Sequence, residues 1–344
     1  MAISSVTGVD LELLADSAFA PAAAAIAERR IPGATLGIVT ATGSCAVRLS
    51  GAAQLMPEHR PLTREAWFDL ASLTKVIFTA AKVLELAEAG RIDLDAPLAS
   101  AIPDLRQYEL QAAERRLTFR QCLGHQTHLP AVEPIYTYGN DPRSLRACVL
   151  QRAWKAGPPV YSDINFILLG IALERLLGAG IRDLATPPGL TFRPDSARSV
   201  ATERCAWRGR MIVGEVHDEN AYAMQGAGHA GLFGTVDGVM DFAQGLMNGT
   251  AATGSVARLM RKTIAGHRTH GWESAFPGWP GGDHCSSDTI GHTGFTGTGL
   301  WIDFERRLAW TLLTNRVHPT RFCDSGIAAL RRATGDLVTR GLPA

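Results

Sequence analysis

The sequence predicts an α+β protein: an antiparallel sheet flanked by helices, with a mostly helical domain inserted between the two halves of that sheet. Strand-like runs come in pairs near both ends of the 344-residue chain, at 34–40 with 45–49 and at 300–303 with 308–313. Each pair brackets a short turn, Thr42-Gly43 or Glu305-Arg306, and reads as a hairpin. The middle, roughly residues 90–220, is helix and loop with many breakers. Two stretches, 76–86 and 166–177, are apolar nearly all round, as helices in a core are. The simplest packing joins residues 1–90 and 221–344 in one discontinuous sheet domain. Residues 91–220 form the helical domain, and the cleft between the two is the natural place for a site.

The elements follow in order. Residues 11–29 read as a helix stopped by Pro32-Gly33. After the first hairpin, Trp67 to Leu70 leads into Ser72. The apolar helix that follows ends near Gly90, and Asp93, Asp95 and Pro97 open a loop. Gly178 ends the second apolar helix, and Pro187-Pro188-Gly189 marks a turn. A glycine-rich stretch at 228–234 precedes a helix over 236–247, and a closing helix covers 327–338. No internal repeat or low-complexity tract interrupts this order.

Composition narrows the function. At 46% hydrophobic and 19% charged the chain has enough apolar surface for a large packed core. A net charge of +1 without a basic run argues against nucleic-acid partners and anionic membrane surfaces. The six cysteines, widely and irregularly spaced with no Cys-x-x-Cys, suit free buried thiols rather than a disulfide framework or a zinc site. The first ten residues carry neither a positive n-region nor an apolar h-region, so a cytoplasmic protein is expected. The Ala-rich stretch 20–27 is too short to span a membrane and is flanked by Glu28, Arg29 and Arg30.

The most informative motif is Ser72-Leu73-Thr74-Lys75. Lysine occurs only at Lys75, Lys82, Lys155 and Lys262, and no other Ser-x-x-Lys exists in the chain. Side chains three apart on a helix share a face, so hydroxyl and amine can touch. A desolvated lysine can lose its proton and serve as a base, which arginine cannot do. Two further segments stand in order behind it: Tyr161-Ser162-Asp163, before the second apolar helix, and His292-Thr293-Gly294, before the second hairpin.

In this order the three motifs resemble the serine β-lactamase and penicillin-binding protein superfamily, on the side of the class C enzymes. The family pattern is Ser-x-x-Lys, then Tyr-x-Asn, then Lys-Thr-Gly or His-Thr-Gly. Phe68-Asp69-Leu70-Ala71-Ser72-Leu73-Thr74-Lys75 is similar to the lead-in to its nucleophile. Gly90-Arg91-Ile92-Asp93-Leu94-Asp95-Ala96-Pro97 and Gly228-His229-Ala230-Gly231-Leu232-Phe233 also resemble family segments. Cys122-Leu123-Gly124-His125-Gln126-Thr127-His128-Leu129-Pro130 resembles an altered form of a third. The likeness runs over about residues 20–340 and implies the β-lactamase/transpeptidase-like fold.

The resemblance implies roles. Ser72 is the expected nucleophile, needing an adjacent base. Lys75 accepts its proton if its pKa is depressed. Tyr161 is the second base or the acid for the leaving group, its phenolate stabilised by Lys75 and a protonated His292. His292, Thr293 and Gly294 line the sheet edge facing the serine. The backbone N–H groups of Ser72 and Phe295 make the oxyanion hole. No metal or organic cofactor is called for. Two departures bear on substrate. Asp163 stands where asparagine is usual, and an ionised carboxylate cannot donate to an amide carbonyl. Histidine replaces lysine in the third motif, as in some D-alanyl-D-alanine peptidases and esterases. The expected activity is therefore a carboxylesterase on small esters, with β-lactamase or D-alanyl-D-alanine peptidase as alternative substrate classes. A binding or assembly protein on the same scaffold is the alternative of another class.

Other motifs read as structural. Gly226-Ala227-Gly228-His229-Ala230-Gly231 matches the dinucleotide fingerprint but follows no apolar strand, so a tight turn near the cleft is expected. The His-x-x-His pairs His125/His128 and His267/His270 lack an acidic third ligand and read as loop histidines. His217-Asp218-Glu219 suggests a triad, but no Gly-x-Ser-x-Gly elbow presents a serine to it. Trp272, Trp279 and Trp301 are expected in the core or the cleft wall.

Overall fold

A computed structural model describes residues 9–340 and 342. Residues 1–8, most of the leading segment in which a signal was sought, lie outside the described residues. Helix α1 (Leu11–Ala27) starts at Asp10, whose carboxylate accepts from the Glu12 and Leu13 N–H groups, satisfying two orphan donors of the first turn. It ends two residues before the expected Arg29, which takes a left-handed φ of 59°. The central sheet combines β1 (Gly33–Thr40), β2 (Cys45–Gln54), β3 (Arg60–Pro61), β9 (Glu273–Ser274), β10 (Thr289–Thr293), β11 (Gly299–Asp303) and β12 (Leu308–Thr314). Its order is β3-β2-β1-β12-β11-β10-β9, and every neighbour pair is antiparallel. Strands from the two ends of the chain meet at β1 and β12, in register from Ala34 opposite Thr314 to Thr40 opposite Leu308.

Every residue of β1 and β12 is buried, because helices cover both faces. One face carries α1 and the closing helix α9 (Ile327–Arg340); the other carries α7 (Val236–Asn248). The first face seals Trp279, Trp301 and Trp310, all without exposure, and Trp272 is as deeply buried in the second core. Of the two places expected for Trp272, Trp279 and Trp301, core or cleft wall, they occupy the core.

The intervening chain supplies α3 (Phe119–Leu123), α4 (Pro142–Gln151), α5 (Asp163–Leu177) and α6 (Glu219–Ala223), followed by α8 (Gly254–Arg261) beyond α7. Three two-residue strands, β4 (Phe68–Asp69), β5 (Leu190–Thr191) and β8 (Phe233–Gly234), form a second sheet. The middle also contains a hairpin, β6 (Ala201–Cys205) with β7 (Arg210–Val213), where only helix and loop are expected from the sequence. Its strands are short and its turn, from Ala206 to Gly209, carries no Asn-Gly or Asp-Gly signal. Of the six thiols, all free, Cys122 and Cys205 are buried but Cys45 and Cys323 are exposed, which corrects the expectation of uniformly buried cysteines.

The apolar stretch after Ser72 is helical in two modes. Lys75–Ala80 winds as a π-helix and α2 (Ala81–Glu88) continues as an α-helix. Widened turns of this kind recur at functional sites. The glycine-rich stretch is a turn that packs on α5, not a nucleotide loop. A Cβ on Gly228 would lie 2.4 Å from the Phe166 carbonyl oxygen and 2.8 Å from the Gly170 Cα. Gly228→Ala should therefore cost about 1–3 kcal/mol as backbone is pushed aside. Urea unfolding checks this; an unchanged midpoint would contradict so close an approach.

Candidate active site

The first motif reaches the cleft through a strained turn. Ala71, immediately before Ser72, has φ of 47°, in a region side-chain-bearing residues rarely adopt. It is held there by Asp69, whose buried carboxylate accepts from the Ala71 N–H at 2.8 Å and the His217 N–H at 2.6 Å. Thr74 anchors the next turn by accepting from the Leu232 N–H at 3.0 Å. Ser72 and Lys75 then meet as their spacing predicts: Lys75 Nζ donates to Ser72 Oγ at 2.8 Å. The same ammonium donates to the His229 carbonyl at 3.1 Å and forms an ion pair with Asp163 Oδ1 at 2.8 Å.

Tyr161 joins them from the start of α5. Lys75 Nζ lies 5.1 Å from its ring centre, and its phenol is engaged with both Lys75 and Ser72. Behind the ring sits His125, 2% exposed, packed against Tyr161 at 4.5 Å with the rings tilted by 39°, and accepting from the Ser162 N–H at 3.0 Å. From the sequence His125 reads as a loop histidine; the fold brings it against a tyrosine 36 residues further along the chain. Arg268 covers Tyr161 at 5.2 Å and pairs with Glu273 at 2.5 Å. His292 lies 5.8 Å from the Tyr161 ring, with Nδ1 on the Thr293 carbonyl at 2.9 Å.

One cleft of about 500 Å³ has Ser72, Tyr161, Asp163, His292, Thr293 and Phe295 on its walls, with Lys75 buried directly behind Ser72. Gly294 sits in close contact with the nucleophile segment: a Cβ there would lie 2.1 Å from Thr298 Oγ1 and 2.5 Å from the Leu70 carbonyl oxygen. Among the described residues, the Ser72 and Phe295 N–H groups donate to no protein acceptor. The fold thus gathers every residue singled out from the three motifs.

The electrostatics decide the charge of Lys75, which the sequence left open, and depart from expectation at His292. Burial alone would strip Lys75 of its proton, but Asp163 and Tyr161 beside it hold its pKa above the ordinary lysine value. Lys75 is a charged ammonium at rest, not a neutral amine. Burial also raises the Tyr161 phenol, which stays protonated. His292 was the expected cationic partner of a phenolate. Burial, with Lys75 and Arg268 nearby, lowers it to about 3, so it is a neutral imidazole. The unfolded chain near its ordinary 6.5 binds a proton that the folded chain refuses. Stability from this group is complete above about pH 6.5 and is lost as pH falls toward 3. In that window the wild type should lose stability more steeply than His292→Gln, by about 1.4 kcal/mol per pH unit. Urea titrations across it give the two slopes; equal slopes would contradict a neutral buried His292.

The remaining polar groups of the cleft pair among themselves. His217 bonds Glu203 at 2.9 Å, and Asp218 accepts from His229 at 2.9 Å. The suggested His217-Asp218-Glu219 triad is therefore not formed. Asp163, Asp218 and His229 offer ligand atoms within 4.8 Å of one another, the one group among the described residues able to hold a metal ion. Lys75 already supplies a cation to Asp163 there. The pair His267/His270 takes separate partners: His270 bonds Arg120 at 2.7 Å, while the His267 ring packs against Phe276 at 4.2 Å. No described helix is long and apolar enough to cross a membrane.

A family model for beta-lactamase matches residues 16–334. The chain belongs to the beta-lactamase family. Its curated relatives include an N-acetylmuramyl-L-alanine amidase of Bacillus subtilis, 29% identical over 77% of this chain and 71% of that protein. A putative D-alanyl-D-alanine carboxypeptidase of Escherichia coli is 27% identical over 77% and 72%. Among solved structures, a class C beta-lactamase from Rhodobacter sphaeroides superposes with a TM-score of 0.70 at 20% identity, covering 94% of this chain and 98% of that one. EstCE1, a hydrolase with promiscuous acyltransferase activity, gives 0.70 at 21%, covering 94% and 98%. The beta-lactamase/transpeptidase-like fold is shared with both, and the family is one of serine hydrolases.

Proposed function

We propose that this beta-lactamase-family hydrolase works through an acyl-enzyme on Ser72 and acts on small carboxylic esters. The observation that carries the reading is the contact of Ser72 Oγ with Lys75 Nζ at 2.8 Å, on the wall of a cleft shared with Tyr161 and Phe295. Lys75 starts protonated, so it acts as a relay. As Ser72 Oγ attacks the ester carbonyl, its proton passes to Lys75 and a Lys75 proton passes to Asp163 across 2.8 Å. The carbonyl electron pair becomes an oxyanion between the Ser72 and Phe295 N–H groups. On collapse, the leaving alkoxide takes the Tyr161 proton. Lys75 reprotonates the phenolate and recovers its own proton from Asp163. Water then repeats the sequence against the acyl-serine and releases the acid.

Asp163 favours esters over amides in this scheme. Its carboxylate is engaged with Lys75 and has no N–H to give an amide carbonyl. The names of the two relatives favour an amide or peptide substrate instead, and the test sets the two side by side. Purified protein is assayed with p-nitrophenyl butyrate, nitrocefin and a D-Ala-D-Ala peptide. The ester should give the highest kcat/KM; faster turnover of the lactam or the peptide would reassign the substrate class. A folded protein that turns over none of the three and takes no label from a fluorophosphonate would instead be a binding protein.

A further inference from the structure

We infer that Arg331 is a positioning residue for the oxyanion hole, acting through the peptide between Gly294 and Phe295. The inference rests on the acyl-enzyme reading above. Arg331 projects from α9 and is 7% exposed. Its Nη2 donates to the Gly294 and Thr298 carbonyl oxygens, both at 2.6 Å. It forms no ion pair with a carboxylate among the described residues, and its Nε has no partner. Burial, with Arg316 nearby, lowers its pKa to about 9, which still leaves it charged at neutral pH. An unpaired buried cation is costly, and apolar side chains of similar volume replace buried charges without loss in many proteins. Packing alone therefore does not account for an arginine here.

The two carbonyls it holds belong to one turn. Gly294 C=O and Phe295 N–H are the two ends of a single planar trans peptide and point in opposite directions. A cation on the oxygen end fixes that plane and polarises the N–H at the other end, as linked hydrogen bonds strengthen one another. The rest of the turn is sewn to the nucleophile segment. Thr298 Oγ1 donates to the Leu70 carbonyl at 3.0 Å and Thr296 Oγ1 to the Asp69 carbonyl at 2.7 Å. Arg316 Nε holds the Phe295 carbonyl at 2.8 Å. Arg331 thus orients one oxyanion donor in register with the Ser72 turn from beneath, without touching substrate.

The test reads the hole itself. A slowly hydrolysed ester with a carbon-13 carbonyl is used to form the acyl-enzyme, and the acyl C=O stretch is read by infrared difference spectroscopy. In Arg331→Gln the band should move to higher frequency, as a weaker hole polarises the carbonyl less. Its kcat should fall about 10- to 100-fold with KM little changed, less than deleting an oxyanion donor outright. Arg331→Lys, which keeps the cation, should recover most of both. Should the glutamine variant not fold, Arg331→Met supplies the neutral side chain with better packing. A wild type that shows no acyl band would end the Ser72 reading and this inference with it. A wild-type band that is unmoved in a folded neutral variant of unchanged kcat would end the Arg331 inference alone.

Discussion

Ser72→Ala lowers kcat for p-nitrophenyl butyrate by at least about three orders of magnitude, as nucleophile removal does in other serine hydrolases. The fold should not change. Ser72 Oγ accepts one hydrogen bond from Lys75, which keeps the His229 carbonyl and Asp163 as partners after truncation. The thermal midpoint should therefore stay within a few degrees of wild type, since surface-like losses of this kind are usually below about 0.5 kcal/mol. A variant that retains turnover would remove Ser72 from the chemistry.

Lys75→Met is the second large effect, and it acts on two properties at once. Turnover should fall by a factor comparable to Ser72→Ala, because residues that act as a unit cost about as much singly as together. Stability should fall as well: Lys75 has no exposure, and removing one partner of a buried pair costs roughly 3–5 kcal/mol. Asp163 retains 17% exposure, which places the expected loss at the low end. The double variant Lys75→Met/Asp163→Asn should recover much of the stability and none of the activity. Urea unfolding of the four proteins gives the coupling energy. Additive stability losses would mean that the ion pair is not the element holding Lys75.

What was legible in the sequence follows the range of the physics involved. The Ser72–Lys75 contact is one turn of helix, and spacing alone gives it. The meeting of Tyr161 and His292 with that turn came through the family order of motifs. Hairpins at 34–49 and 300–313 were legible because alternation and turn residues are local signals. The pairing of β1 with β12, more than 250 residues apart, carries no local signal; the sequence puts both ends of the chain in one sheet without saying which strands are neighbours. Charge states were not legible. The charge on Lys75 was left open by the sequence, and burial by itself favours deprotonation. Asp163, 88 residues away, outweighs it. Asp163 was read only as a missing amide donor, when its larger consequence is as a counter-ion. His292 was expected as a cation because no local signal reports the depth of its burial or the approach of Arg268. Arg331 carries no spacing signature, and the His-x-x-His spacing of His125 with His128 points to a metal pair rather than to a brace for Tyr161. Each gains meaning only once a helix or loop delivers it to a carbonyl or a ring.

A covalent acyl-enzyme on Ser72 is detectable by mass spectrometry of the intact protein and its peptides after exposure to a slow ester. The expected result is a mass increase of one acyl group, mapped to the peptide containing Ser72-Leu73-Thr74-Lys75 and absent in Ser72→Ala. Turnover of the ester with no adduct there, or with an adduct on another residue, would contradict it.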